Sequence, residues 1–242
     1  GEFGLIDRLT KDLGRRHATT LHGAGDDAAV IDLGDEVLLI SCDMLSEGID
    51  FDLRYFAPKL LGYKAVVRGI NDIVAMNAHA EQIVVALGVS AKISVEFLDE
   101  LYEGIEHACK QYNVDLVGGD TTSTLNGMTI SITAIGRAKR ENVVYRTGAE
   151  EHDLICISAN LGAAYMGLHL LERESRVLSD IDNPEPKFAG NEYLLERYLK
   201  PRARIDIIEA LAEAGIRPTS MIDLSDGLAS DLRQICRSSH CG

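Results

Sequence analysis

The chain has 242 residues, with 38 acidic side chains against 24 basic ones, which leaves a formal net charge of −14 at pH 7. A protein this acidic repels nucleic acid and anionic lipid, so we expect neither as a partner. The composition, 46% hydrophobic and 26% charged, is typical of a globular protein with a substantial core. No apolar run approaches the ~20 residues that a membrane-spanning helix needs, and no signal-like segment opens the chain.

The five cysteines indicate a reducing environment. Their number is odd and no two of them form a C-x-x-C pair, which argues against a disulfide framework and against a zinc site. We therefore expect the protein to be cytoplasmic.

Hydrophobic spacing predicts an α/β unit in the first part of the chain. Pro58 falls in the first turn of one predicted helix, and Ser94 is the expected N-cap of another. In chain order, the predicted elements are a helix at 2–13, strands at 28–33 and 36–45, a helix at 57–78, a strand at 82–89, a helix at 95–112, and strands at 115–119 and 128–136.

The polar, turn-rich stretch 141–153 predicts a domain boundary, with one domain at 1–140 and a second at 150–242. Some ninety residues with few strands make a thin second domain, so we expect the chain to continue beyond Gly242. The predicted elements of the second domain are a strand at 154–159, a helix at 162–174, a loop at 179–192, helices at 191–199 and 203–214, a strand at 220–225 and a helix at 228–238.

The stretch HGAGDDAAVID, residues 22–32, matches the G-x-G-x-x-G/A fingerprint of a dinucleotide-binding turn. That fingerprint must follow a strand and open a helix, whereas this match precedes a strand-like run. Asp26 and Asp27 also place two negative charges where a pyrophosphate would bind. Since no Walker loop occurs elsewhere, we interpret the stretch as an acidic loop and not as a dinucleotide site.

Several aspartates follow short apolar runs, as Asp43 does in VLLISCD and Asp120 in DLVGGD; Asp223 and Asp226 share a third such run. Asp72 lies inside a predicted helix between apolar neighbours, which predicts partial burial. A single aspartate is most often a turn or cap residue. Several of them at predicted strand ends instead favour a site where Mg²⁺ ions bind phosphates, because hard cations prefer oxygen ligands.

A series of motifs extends this interpretation along essentially the whole chain. They are, in order, GEFGLI, GAGDDAAV, SCDMLSEGIDF, LGYKAVVRGINDIVAMNA, GGDTT, YRTGA, LKPRARI and IDLSDGLASDL. With them the chain resembles the thiamine-monophosphate kinases, a family in the ATP-binding superfamily of aminoimidazole ribonucleotide synthetase. The resemblance implies an α/β (α+β) fold of two domains, an N-terminal sheet-and-helix domain and an incomplete C-terminal α+β domain. It also implies a homodimer, and a kinase that phosphorylates thiamine monophosphate with ATP and several Mg²⁺ ions.

The resemblance also implies roles for residues at matching positions. The implied metal ligands are Asp27, Ser41, Asp43, Asp72, Asp120, Asp223 and Asp226. The implied ATP contacts are Tyr102, Gly119, Asp120, Arg146 and Ser225. Asp43, Asp72 and Asp120 form the implied catalytic set, and Asp50 faces thiamine monophosphate. Asp26 would shape its loop or bind metal through water.

Two of these residues have physical reasons and alternatives of their own. The planar guanidinium of Arg146 suits a phosphate bidentately, although a surface arginine in a boundary loop explains it equally well. Tyr102 on its own fits a helix core better than a nucleotide site.

The sequence departs from the family pattern at two points. Cys42 stands where the family commonly has threonine, and a thiol is a poor magnesium ligand. Gly242 falls before the family's Gly-Gly-Glu-Asp segment. Two alternatives therefore stay open: another ATP-dependent member of the superfamily, and a nucleotide- and magnesium-binding protein without turnover.

Overall fold

The computed structural model describes residues 2–178 and 187–242. Its centre is one six-stranded sheet with the strand order β1-β2-β3-β6-β4-β5, in which β4 and β5 are parallel and the other neighbours antiparallel. The strands are β1 (Thr20–His22), β2 (Ala29–Asp32), β3 (Glu36–Ser46), β4 (His79–Ser90), β5 (Asp115–Thr124) and β6 (Met128–Lys139).

Helices cover one face of this sheet and make up the regular structure of the described C-terminal part. They are α1 (Glu2–Thr10), α2 (Pro58–Ala75), α3 (Val95–Tyr112), α4 (Ala163–Val177), α5 (Glu192–Leu199), α6 (Ile205–Glu213) and α7 (Leu228–Ser239), with a short 3₁₀ turn at Arg140–Asn142. The backbone N–H of Phe97 donates to the Ser94 side chain at 3.2 Å, so Ser94 is the N-cap of α3 as the sequence predicts. No described helix is both long enough and apolar enough to cross a lipid bilayer.

The central helix α2 packs directly on the sheet and on α3, and glycines permit both contacts. A Cβ at Gly62 would lie 2.0 Å from the carbonyl oxygen of Leu101, and one at Gly104 would lie 2.0 Å from that of Lys59. At Gly69 a Cβ would meet the Ile132 side chain of β6 at 2.4 Å. The backbones of α2, α3 and the sheet therefore approach more closely than any side chain would allow, which fixes the position of α2 over β3 and β6.

The other face of the sheet carries smaller and more exposed side chains. Strand register aligns Met44, Ser131, Ala86 and Asp120 in one row across four strands. Met44 in this row is 59% exposed. The adjacent row, which begins with Asp43 and ends with Gly119, lies on the helix-covered face because successive residues of a strand point to opposite sides.

The predicted fold class is confirmed, and most predicted elements of the sheet unit are present. The three-residue strand β1 was not predicted. Strand β5 continues to Thr124, and α2 ends at Ala75, where Asn77 takes a positive φ of 58° before β4 begins. The loop that contains Asp26 and Asp27 joins β1 to β2 and opens no helix, which agrees with its interpretation as an acidic loop.

Two predicted strands, at 154–159 and 220–225, are wrong. The structure gives neither segment a strand, and Leu154 is 89% exposed. A strand forms its backbone hydrogen bonds with a neighbour, and within the described residues no strand lies beside either segment. Most of the predicted loop at 179–192 lies outside the described residues, and the predicted domain boundary stays a prediction.

Candidate metal and phosphate site

Three aspartates that are far apart in the sequence meet at one point of the structure. Asp27 comes from the β1–β2 loop, Asp72 from α2 and Asp223 from the segment before α7. Each offers a carboxylate oxygen, and these oxygens all lie within 4.8 Å of one another. Oxygen ligands at this spacing suit a hard divalent cation.

Asp27 is the most deeply buried of the three, with a side chain only 1% exposed. Its Oδ1 atom accepts hydrogen bonds from Nη2 and, at 3.2 Å, from Nε of Arg146. Its Oδ2 atom is buried and has no hydrogen-bond partner among the described residues. A buried carboxylate oxygen without a partner is costly, and a bound cation would satisfy it.

The loop that presents Arg146 is fixed from both sides. The Asp26 carboxylate accepts the backbone N–H of Arg146 at 3.1 Å and that of Asp27 at 3.0 Å. The hydroxyls of Ser220 and Ser239 both donate to the Arg146 carbonyl, at 2.7 and 3.3 Å. Asp26 therefore shapes the loop, as one of its two predicted roles requires.

Helix α2 brings Asp72 to the cluster from the sheet side. The Ser41 hydroxyl, buried on β3, donates to the Gly69 carbonyl at 3.1 Å and lies close enough to Asp72 to favour its charged form. Asn71 Nδ2 donates to Asp223 Oδ2 at 3.2 Å. Consecutive residues of α2 thus contact β3 and the segment before α7.

Burial and the charges of neighbouring carboxylates raise the pKa of all three carboxyl groups. Burial is the larger cause; it raises the pKa of Asp27 to about 7, although Arg146 opposes the shift, and that of Asp72 to about 8. Burial also raises the pKa of Asp223. Negative charge is therefore unfavourable here without a cation, and the donor set fits Mg²⁺.

Asp43 and Asp50 lie beside the cluster and share one arginine. Arg68 forms an ion pair with Asp43, with Nε 3.0 Å from Oδ2, and Arg68 Nη1 donates to Asp50 Oδ1 at 2.8 Å. Asp43 thus pairs with Arg68 beside the three clustered carboxylates. The Cys42 thiol points to the opposite face, where its Sγ lies 3.4 Å from Ser131 Oγ, so the side chain that departs from the family pattern does not face the cluster.

Other predicted site residues lie away from the cluster. Asp120 is exposed on the opposite face of the sheet from Asp43, on a strand three positions away, or about 14 Å at ordinary strand spacing. Gly119 is required by packing, because a Cβ there would lie 2.1 Å from the Val85 carbonyl oxygen. Tyr102 on α3 is partly exposed and lines a cavity of about 820 Å³ at the same edge of the sheet.

Ser225 and Asp226 are exposed in the loop before α7, outside the three-carboxylate cluster. The backbone N–H groups of Asp226 and Gly227 donate to the buried carboxylate of Asp231, at 3.2 and 3.0 Å. Asp231 therefore fixes the turn that follows Asp223.

The prediction that Asp43, Asp120 and Asp223 lie at the ends of strands is wrong. Asp43 lies within β3 and Asp120 within β5, whereas the segment with Asp223 is not a strand. Sequence reasoning also missed Arg68, Lys64 and Asp231. A signal for the first two was present, because Lys64, Arg68 and Asp72 recur at a spacing of four on one face of α2.

The chain matches known proteins over its whole length. Residues 25–138 match the family described as AIR synthase related protein, N-terminal domain. A thiamine-monophosphate kinase of Buchnera aphidicola is 34% identical over 242 residues, 100% of this chain and 70% of the relative. One of Bacillus subtilis is 31% identical and covers 98% of this chain and 70% of its own length. A solved structure described as AaThiL complexed with AMPPCP and TMP superposes with a TM-score of 0.83 at 29% identity, over 99% of this chain and 71% of the other.

The raised pKa of Asp72 predicts how the metal-free protein responds to pH. The folded protein holds a proton on Asp72 up to about pH 8, whereas the unfolded chain releases it near the ordinary value of 3.8. The free energy of unfolding therefore falls as pH rises through this window. In chelator at pH 8, Asp72→Asn should raise the free energy of unfolding by about 1 to 3 kcal/mol over the unsubstituted protein and unfold at a higher temperature, and the gain should shrink at pH 5.

Thermal unfolding followed by circular dichroism checks this prediction. Asp35→Asn, at an exposed acid in the β2–β3 turn, is the matched control and should show no such gain. If Asp72→Asn unfolds at a lower temperature at both pH values, Asp72 supports the fold and does not belong to a repulsive site.

Proposed function

Because the chain belongs to the thiamine-monophosphate kinase family, we propose that its acidic cluster holds Mg²⁺ and directs phosphoryl transfer from ATP straight to thiamine monophosphate. The reaction itself is the ATP-dependent phosphorylation of thiamine monophosphate to thiamine diphosphate. Membership of this family sets aside both alternatives left open by the sequence, another superfamily member and a protein without turnover. The cytoplasmic location stays a prediction.

The observation that carries the proposal is the convergence of Asp27, Asp72 and Asp223 at one partly buried point beside Arg146. Two phosphate groups that react with each other bring several negative charges together. A site for them needs positive charge, yet the nearest side chains are carboxylates. A cation bound between the carboxylates and the phosphates would offset the negative charge of both. The related structure complexed with AMPPCP and TMP supports a site that holds both substrates at once.

We propose that Asp27, Asp72 and Asp223 hold the metal, with Asp43 and Ser41 completing the set from β3. When bound, Mg²⁺ would neutralise phosphate charge and polarise the phosphoryl oxygens. Asp226, in the adjacent loop, is a further proposed ligand. Arg146 fixes Asp27 through its guanidinium, and we propose that the same group contacts the phosphates of ATP, with Ser225 nearby.

The chain's own residues favour direct transfer without a phosphoenzyme. Carboxylates that are committed to a cation are weak nucleophiles. A phosphate oxygen of the acceptor can attack by itself once its charge is screened, so the role of the side chains is to position both substrates and exclude water.

We further propose a homodimer formed through the exposed face of the sheet. Gly119, Asp120 and Tyr102 lie on or beside strand β5, far from the cluster of their own chain. A second copy packed on this face would cover Met44 and Asp120, which lie in the same row. We propose that the ATP-binding and metal-binding roles predicted for Asp120 serve the cluster of that second copy.

The acidic cluster predicts that nucleotide binding depends on a divalent cation. Isothermal titration calorimetry with AMPPCP should show binding in Mg²⁺ and a loss on the order of 100-fold in chelator, because bare carboxylates repel the triphosphate. Asp72→Asn should weaken binding in Mg²⁺, whereas the control Asp35→Asn should not. Equal affinity with and without Mg²⁺ would contradict the metal-bridged arrangement.

Direct transfer predicts that both substrates occupy the site together. Initial rates measured against ATP and thiamine monophosphate should give intersecting double-reciprocal plots, and ADP–ATP isotope exchange should require a thiamine phosphate. ADP release should also depend on thiamine monophosphate among the phosphate acceptors tested. Parallel plots, together with exchange in the absence of thiamine phosphates, would indicate a phosphoenzyme.

The proposed homodimer predicts a mass twice the 26.4 kDa of one chain in sedimentation equilibrium at micromolar concentration. Met44→Asp, at the centre of the exposed face, should shift the population toward monomer because it places a charge in an apolar contact. Asp35→Asn serves again as the control. A monomer for the unsubstituted protein would refute the assembly.

A further inference from the structure

We propose that Arg68 is a substrate-binding residue that contacts the phosphate of thiamine monophosphate. This inference rests on the proposed function and assigns its acceptor side. Arg68 lies on α2 one helical turn before Asp72, so its side chain is on the face that carries the acidic cluster.

The geometry of Arg68 leaves part of its guanidinium free for a ligand. Its Nη2 atom donates to Asp43 Oδ1 at 3.4 Å and its Nη1 atom donates to Asp50 Oδ1 at 2.8 Å, while Nε lies 3.0 Å from Asp43 Oδ2 in an ion pair. A guanidinium carries five N–H groups, so these three contacts leave one on each terminal nitrogen. The side chain is 34% exposed, which leaves the remaining pair accessible. Two N–H groups on neighbouring nitrogens match two oxygens of one phosphate.

The two carboxylates that Arg68 contacts connect it to both halves of the reaction. Asp43 is a proposed metal ligand, and Asp50 is the residue predicted to face thiamine monophosphate. Both Asp43 oxygens are engaged by Arg68 in this structure. A cation that draws on Asp43 would compete for the same oxygens, and Arg68 would then need another anion. The phosphate of the acceptor arrives beside Asp50, where it supplies that anion.

A second basic side chain lies beside Arg68. Lys64, one turn earlier on α2, is buried, with its Nζ atom 3.9 Å from the centre of the Tyr198 ring and 5.1 Å from that of Phe56. The Tyr198 hydroxyl donates to the backbone carbonyl of Asp50 at 3.4 Å. Aromatic rings thus exclude water beside two positive charges, and an anion bound there is attracted more strongly than in open solvent.

The arrangement also separates the two substrates. Arg146 lies beyond Asp27, whereas Arg68 lies beyond Asp43. The acidic cluster is therefore flanked by two arginines that reach it from different elements, one from the loop after β6 and one from α2. Arg146 is assigned to ATP, which leaves Arg68 for the acceptor.

The test compares ligands that differ only in the phosphate. Affinities for thiamine monophosphate and for thiamine are measured by calorimetry with Mg²⁺ and AMPPCP present. We expect Arg68→Gln, which keeps a hydrogen-bond donor but removes the charge, to reduce the preference for the phosphorylated ligand at least tenfold. The KM for thiamine monophosphate should rise by a similar factor, while the KM for ATP stays within twofold. Arg68→Lys should recover part of the preference.

Arg54→Gln is the matched control, because Arg54 is 73% exposed and contacts Asp52 in the segment that follows Asp50. It should leave the preference unchanged. An equal loss of affinity for both ligands in Arg68→Gln would mark Arg68 as structural, and an unchanged preference with a raised KM for ATP would place it on the donor side. Either result overturns the inference. If Arg68→Gln does not fold, the Arg68→Lys comparison decides by itself, because full retention of the preference and of KM overturns the bidentate contact.

Failure of the proposed function would look different. In that case the unsubstituted protein would not convert thiamine monophosphate at all. The binding comparison would still report on Arg68, because it does not depend on turnover.

Discussion

The repulsion among three partly buried carboxylates is the constraint on which the rest of the structure depends. The carboxylate oxygens of Asp27, Asp72 and Asp223 lie within 4.8 Å of one another, and like charges at this distance repel each other. They stay together because each is held by a rigid neighbour: Asp27 by Arg146 and Asp223 by Asn71, while Asp72 belongs to a helix fixed on the sheet. The packing energy of the scaffold thus keeps a charge arrangement that becomes favourable only when a cation and phosphates bind.

The close approach of α2 to its neighbours is what makes this arrangement stiff. Gly62 and Gly104 let two helices meet at their backbones, and Gly69 lets α2 settle on β6. With α2 fixed in this way, Arg68 and Asp72 reach the site from consecutive turns of one helix. The glycines at the helix contacts therefore fix the position of the charged residues that the same helix carries.

The sequence was informative where the residues that surround a side chain in the fold are also its neighbours in the chain. Asp72 could be predicted as partly buried because the apolar residues around it belong to its own helix, and the acidic loop could be separated from a dinucleotide turn because no helix follows it. Register and long-range contacts were beyond such reasoning. Asp120 lies on the opposite face from Asp43, which depends on pairings across four strands. Arg68 was missed because its importance comes from Asp43 and Asp50, which reach it only through the tertiary fold.

The distance in sequence between Asn71 and Asp223 has a consequence for how the site is made. These two residues are hydrogen-bonded although 152 positions separate them, and closing so large a loop costs more conformational entropy than forming a local contact. The sheet and α2 can therefore assemble while the third carboxylate is still absent, so the folding core meets only part of the repulsion. During synthesis on the ribosome, the acidic centre would be completed only after the segment before α7 has emerged and docked.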